Sequence, residues 1–162
     1  MSESLENFTN IVKEDIKEAK TLFFSEAFKE EYLKDRREEK ELYHQLLLGR
    51  NRNQILEEFL LSSGQKKPVL LSAAKTIYQA MIMNLDEPLE IKVKREGWGY
   101  LVGRIKSDGT FLSLHKNTFQ AEDFEDGTLT IYADMKTIPK DGDIDHLIIQ
   151  TVYQTLQIEV VY

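Results

Sequence analysis

"SSGQKKP", residues 62–68, is where the chain changes its period. Before this stretch apolar residues recur every three or four positions; after it they recur every two. Pro68 cannot belong to a continuing helix, because proline excludes the α conformation from the residue before it. The stretch therefore reads as a boundary between a helical region, 1–64, and a β domain, 65–162.

Working back from the boundary, Leu5, Phe8, Val12, Ile16, Ala19 and Phe23 define one helical stripe. A second runs through Phe24, Phe28 and Tyr32 and then Leu42, Tyr43, Leu46 and Leu47, with Ser25 as an N-cap and Gly49 as a stop. Asn51 and Gln54 have capping-box spacing ahead of Ile55, Leu56, Phe59 and Leu60. Two or three helices are expected, with their surplus of leucine packed inside the chain.

Working forward, short runs appear at 69–72, 76–81, 89–96, 100–105, 111–115, 129–135, 147–152 and 156–162, rich in valine, isoleucine, threonine and tyrosine. Turn residues separate them, such as "LDEP" (85–88), "SDG" (107–109) and "EDG" (125–127). Parallel neighbours would need long crossovers, so seven to eight such strands imply an antiparallel sandwich. The expected class is α+β: helices first, then an all-β sandwich.

The net charge of −7 excludes a protein whose task is to grip phosphate backbones, so nucleic acid is not an expected partner. With no cysteine in the chain, disulfides, thiol nucleophiles and cysteine-bound zinc are excluded. No run approaches the roughly 18 apolar residues of a membrane helix, and the first thirty residues do not resemble a signal peptide. The chain as given reads as cytoplasmic, without membrane insertion.

Chemistry is suggested most by "IPKDGDIDH" (138–146). Read as a calcium loop from Asp141, it puts His146 where glycine is needed and Val152 where a bidentate carboxylate is needed. The better reading is a turn over Pro139, Lys140, Asp141 and Gly142, with Asp143 and Asp145 pointing outward at the start of a strand. The acidic run "AEDFEDG" (121–127) reads as a solvated connection. His44, His115 and His146 show neither helical zinc spacing nor a "G-x-S-x-G" elbow nearby. No catalytic, cofactor or metal residue is assigned. In "REGWGYLVG" (95–103), Trp98 and Tyr100 on a glycine-flanked turn are the candidate binding surface, able to stack on a sugar or anchor a protein.

From Pro68 to Tyr162 the order "VLLSAAKTIY", "LDEP", "LEIKVKRE", "GWGYLVGRI", "SDGTFLSLHKNTF" and "YQTLQIEVVY" resembles bacterial immunoglobulin-like modules of the BACON and ASH type. Such modules recur in large multidomain proteins of Gram-positive bacteria. Two positions depart from the pattern: Phe111 stands where tryptophan is usual, and Asp145-His146 where the late turn usually has a second glycine. The resemblance implies an immunoglobulin-like sandwich that serves as a spacer or adhesive surface. The expected function is a non-enzymatic protein-interaction or scaffold module at the front of a larger protein, its partner another protein or other domains of that chain. Glycan binding through Trp98 and Tyr100 is the alternative.

Overall fold

In the computed structural model, which describes residues 4–80, 87–109 and 111–162, the first apolar stripe is two helices rather than one. Ser4 caps α1 (Leu5–Glu14) by accepting the Asn7 N–H at 3.1 Å. Asp15 then takes an extended conformation and caps α2 (Ile16–Phe23) by accepting the Glu18 N–H at 3.1 Å. Ser25, expected to cap, instead donates its hydroxyl to the Leu22 carbonyl at 2.6 Å, and α3 (Ala27–Tyr32) follows. After α4 (Arg37–Leu46), Asn51 caps α5 (Arg52–Ser62) by accepting the Gln54 N–H at 3.1 Å. The described residues thus form five helices where two or three were expected. Apolar periodicity runs across a capping break such as Asp15, so it counts stripes and not helices.

The helices enclose an aromatic core. Phe8 meets Phe28 at 4.8 Å between ring centroids, and Phe23 meets Tyr43 at 5.0 Å. The Tyr43 hydroxyl donates to the Phe23 carbonyl at 2.5 Å, and burial raises its pKa. Ile55, Leu56, Phe59 and Leu60 are buried in the same core, whereas Leu48 stays 87% exposed.

The β region contains nine strands among the described residues: β1 (Leu70–Ala73), β2 (Ile77–Gln79), β3 (Leu89–Glu96), β4 (Val102–Ser107), β5 (Leu112–Leu114), β6 (Thr118–Gln120), β7 (Thr128–Met135), β8 (Ile144–Thr151) and β9 (Thr155–Val161). They form sheets of order β1-β3-β7-β5 and β2-β9-β8-β4-β6. Inward residues alternate along each strand, so that Ile91, Val93, Leu129 and Ile131 of one sheet and Ile105, Leu147, Ile149 and Ile158 of the other belong to one buried cluster. The arrangement is an immunoglobulin-like sandwich.

The structure corrects two expectations. β6 is an additional strand, only three residues long and set among polar neighbours, so it lacked a readable alternation. The sandwich is also not wholly antiparallel, because β2 runs parallel to β9. β1 and β2 are pieces of one early segment that changes sheets, and the rest of the sandwich supplies the crossover that a parallel pair requires. Met81 of the second apolar run, Leu85 and Asp86 of "LDEP", and Thr110 lie outside the described residues.

The chain divides into two compact units, Met1–Pro68 with Trp98–Tyr100, and Val69–Gly97 with Leu101–Tyr162. Residues 65–68 and the "WGY" turn thus group with the helices.

Two side-chain devices define the edges of the sandwich. The Gln154 amide accepts the Leu71 N–H at 2.8 Å and donates to the Leu71 carbonyl at 2.7 Å, occupying the outer edge of β1 as a strand would. At the other end, Phe119 of β6 lies across Gly103 of β4, where a Cβ would press into that ring and sit 2.6 Å from the Gln150 carbonyl oxygen. Gly103→Ala is expected to destabilise the sandwich by about 1–3 kcal/mol. A urea midpoint that does not fall would show that the Phe119 ring is not pinned there.

Candidate functional site

Trp98 and Tyr100 are both half-buried. Trp98 is half-buried against the helical core, with the Lys66 ammonium 4.5 Å and the Lys13 ammonium 5.0 Å from its ring centroid. Its carbonyl accepts from Lys66 Nζ at 2.5 Å, and the same ammonium meets Glu57 Oε1 at 2.5 Å. The Glu57 and Lys66 side chains are 3% and 1% exposed, so the "GWG" turn covers a buried ion pair. Gly99 (φ +99°) is required twice, by its left-handed backbone and because a Cβ would come within 2.8 Å of Lys66 Nζ. The Tyr100 hydroxyl accepts from Asn51 Nδ2 at 3.3 Å.

The aspartate triplet divides into different roles. Asp143 Oδ2 accepts the Lys140 N–H at 2.9 Å and Gly142 has φ +90°, which makes the turn. Asp145, expected to point outward, is fully buried. Its Oδ1 accepts the Ser107 hydroxyl at 2.9 Å, and its Oδ2 accepts the N–H groups of Phe111 and Leu112 at 3.1 and 3.0 Å. Beside it Asp108 and His146 form a reciprocal pair. The Asp108 N–H donates to the His146 carbonyl at 3.1 Å, the His146 N–H donates to Asp108 Oδ1 at 3.0 Å, and His146 Nδ1 lies 2.6 Å from Asp108 Oδ2. His146 Nε2 is 3.7 Å from Glu159 Oε1. The Asp108 carboxyl is lowered to about 2, with the neighbouring Asp145 side chain as the largest cause and the His146 amide and ring next. His146 is raised, first by its hydrogen bond to Asp108 and then by the charges of Asp108, Glu159 and Asp145.

This four-residue lock, Ser107-Asp108 against Asp145-His146, joins the start of β8 to the connection between β4 and β5. Sequence reading missed it, although both halves carried a signal: a serine-aspartate turn, and an aspartate beside a histidine at the start of a strand. His115, at the end of β5, stands 2.9 Å from Asp134 and stacks on Tyr132.

Two adjoining recesses surround β6. One, about 780 Å³, lies along the five-stranded sheet and is lined by Val102, Arg104, Gln120, Gln150 and Val152 among others. The other, about 330 Å³, has an apolar floor of Ile105, Phe119, Leu129 and Ile131 and polar walls that include Lys116, Asp123, Glu125 and Thr130. Lys116 and Asp123, 3.5 Å apart, belong to both.

A family model described as the N-terminal part of a family of unknown function, DUF5717, matches residues 2–162. The chain belongs to that family. No curated protein matches it. Among solved structures, a C. elegans MSP family member, WR4, has 8% identity and a TM-score of 0.44, over 56% of this chain and 95% of that one. The E. coli chaperone DraB has 6% identity and a TM-score of 0.40, over 57% of this chain and 53% of that one. Domains 4 and 5 of the S-layer protein SbsC have 9% identity and a TM-score of 0.37, over 59% of this chain and 51% of that one. Among the described residues of this DUF5717 N-terminal chain, no helix is long and apolar enough to cross a membrane.

The lock makes two predictions. Asp145→Ala leaves the buried N–H groups of Phe111 and Leu112 without an acceptor and should cost about 2–5 kcal/mol. Chemical denaturation checks it, and a loss under about 0.5 kcal/mol would show that the two amides find another partner. The second prediction concerns pH. Because His146 is raised in the fold, its contribution is complete below its ordinary 6.5 and is lost as pH rises through the raised value. Because Asp108 is lowered, its contribution is complete above its ordinary 3.8 and is lost as pH falls toward about 2. Raising the pH from about 6 to about 9, across the usual histidine range, should therefore lower the melting temperature of the native chain more than that of His146→Gln. Parallel curves for the two proteins would contradict the assignment.

Proposed function

We propose that this chain is a non-enzymatic protein-interaction or scaffold module at the front of a larger protein, and that its partner face is the outer surface of the five-stranded sheet around β4, β6 and β8. The observation that carries the reading is the recess of about 780 Å³ in which Val152, 63% exposed, and Val102, 36% exposed, stand beside Arg104, Gln120 and Gln150. Apolar side chains set among polar ones on an open surface have the composition of a protein-binding patch.

Two further observations agree. Asp108, Asp145, His146, Glu57 and Lys66 are engaged in bonds that hold the fold, which supports a binding role over catalysis. The family description names an N-terminal part, which supports a longer host, and the BACON- and ASH-type resemblance supports an adhesive or spacing role within it. Trp98 lies under two ammonium groups, an arrangement that favours protein over sugar as the partner.

A photo-crosslinking residue placed at Val152 of the host protein in cells tests this. It should yield a discrete protein adduct that the same residue at exposed Leu48 does not give, and Arg104→Glu should abolish it. No adduct above the Leu48 control, or a glycan-array signal that depends on Trp98, would overturn the proposal.

A further inference from the structure

β7 is paired along one side and only partly along the other. The Gly127 carbonyl accepts the Arg95 N–H of β3 at 2.9 Å, and the Tyr132 carbonyl accepts the His115 N–H at 3.0 Å. Backbone groups alternate sides along a strand, so Thr128, Thr130 and Tyr132 face away from β3. Lys92, directly opposite Thr130 on β3, agrees: its N–H turns from β7 to the Tyr78 hydroxyl at 3.2 Å.

On the outward side Tyr132 is met by His115, and Thr128 exchanges two hydrogen bonds with Glu125 at 2.8 and 2.9 Å. Thr130 lies between them. Continuing the register of β5 would bring Asn117 opposite Thr130, but the chain has already left this edge. The Asn117 carbonyl accepts the Ile105 N–H of β4 at 2.8 Å instead. The Thr130 N–H and carbonyl therefore have no backbone partner among the described residues. They open onto the recess of about 330 Å³ whose floor is Ile105, Phe119, Leu129 and Ile131.

Thr128 and Tyr132 are already paired, so the open stretch is the three residues between them, about 10 Å at the rise of a strand, which admits a peptide segment of about three residues. The charge beside the notch points to its occupant. Asp123 and Glu125 line it, and Glu122 and Asp126 adjoin them. Lys116 is already neutralised by Asp123 at 3.5 Å. The geometry points to an extended, basic and aliphatic segment of a partner protein, added as a short strand against Thr130. Its backbone would complete the missing rung, one aliphatic side chain would rest on the apolar floor, and a neighbouring lysine or arginine would face Glu125. This rests on the protein-interaction reading above and adds a contact at the recess that adjoins the proposed face across β6.

The test uses a phage-displayed library of random dodecapeptides selected on the whole chain. Enriched sequences should alternate valine, isoleucine or leucine with lysine or arginine. A synthetic enriched peptide should shift the Thr130 amide in nitrogen-15 spectra and slow its hydrogen exchange. Methylating the peptide nitrogen that donates to the Thr130 carbonyl should weaken binding about tenfold, the effect of losing one rung and leaving an acceptor unmet. Glu125→Lys, which changes an exposed side chain, should weaken it further while leaving the fold intact. No enrichment, acidic enriched sequences, an unmoved Thr130 amide, or undiminished binding of the methylated peptide would each overturn the proposal. Crosslinking at Val152 reports a partner on the face of the five-stranded sheet and not at the Thr130 rung. If that adduct persists while the Thr130 mode fails, strand addition alone is overturned.

Discussion

The sandwich depends on one buried carboxylate. Asp145 sits at the start of β8 in the five-stranded sheet and holds the amides of Phe111 and Leu112, where β5 begins in the other sheet. Between β4 and β5 the chain must leave one sheet for the other, and a change of sheet leaves amide groups without ladder partners. An acid at full burial is tolerated there because the crossing supplies three donors to it. Asp108 and His146 close the same junction from the solvent side, where a charge-assisted pair is inexpensive because both partners remain hydrated.

A comparable constraint operates in the helical unit. Glu57 and Lys66 are both removed from water, which is unfavourable unless the remaining ammonium protons find acceptors. The Trp98 carbonyl is one such acceptor, and the indole ring covers the cation. Trp98 of the "GWG" turn thus serves a polar interior with its carbonyl and its ring. Gly99 follows from the same requirement, since any side chain there would displace the ammonium.

With these groups engaged, the region around β6 is one place where the sandwich is open. β6 is short, β5 ends early, and the chain passes between the sheets twice within a few residues. Each passage gives up ladder bonds. One leaves an outer recess on the five-stranded sheet, and the other leaves the Thr130 rung unfilled. The acidic run 121–127 belongs to this architecture: Asp123 holds the Gln120 N–H at 2.8 Å, and Asp126 and Gly127 form the left-handed turn that returns the chain to β7. The openness here arises from what the backbone leaves unpaired more than from any side-chain motif.

Much of the fold was legible in local pattern. The change of period at 62–68, the Asn51 cap, the strand from Leu89, most of β7 and of β8, and the turn at Gly142 depend on nearest-neighbour geometry that residue type controls directly. The number of helices was not legible, because caps such as Asp15 interrupt the backbone without interrupting the apolar stripe. Nor could spacing reveal that Asp145 faces inward, that Trp98 covers an ion pair, or that β2 lies parallel to β9. Each depends on groups 30 or more residues away in sequence, from Ser107 to Asp145 or Lys66 to Trp98. That helices precede a sandwich was written in local pattern, because periodicity is a local property. Which polar groups are buried and which backbone edges stay open was decided only in the tertiary structure, because burial and strand pairing join residues that no local pattern connects.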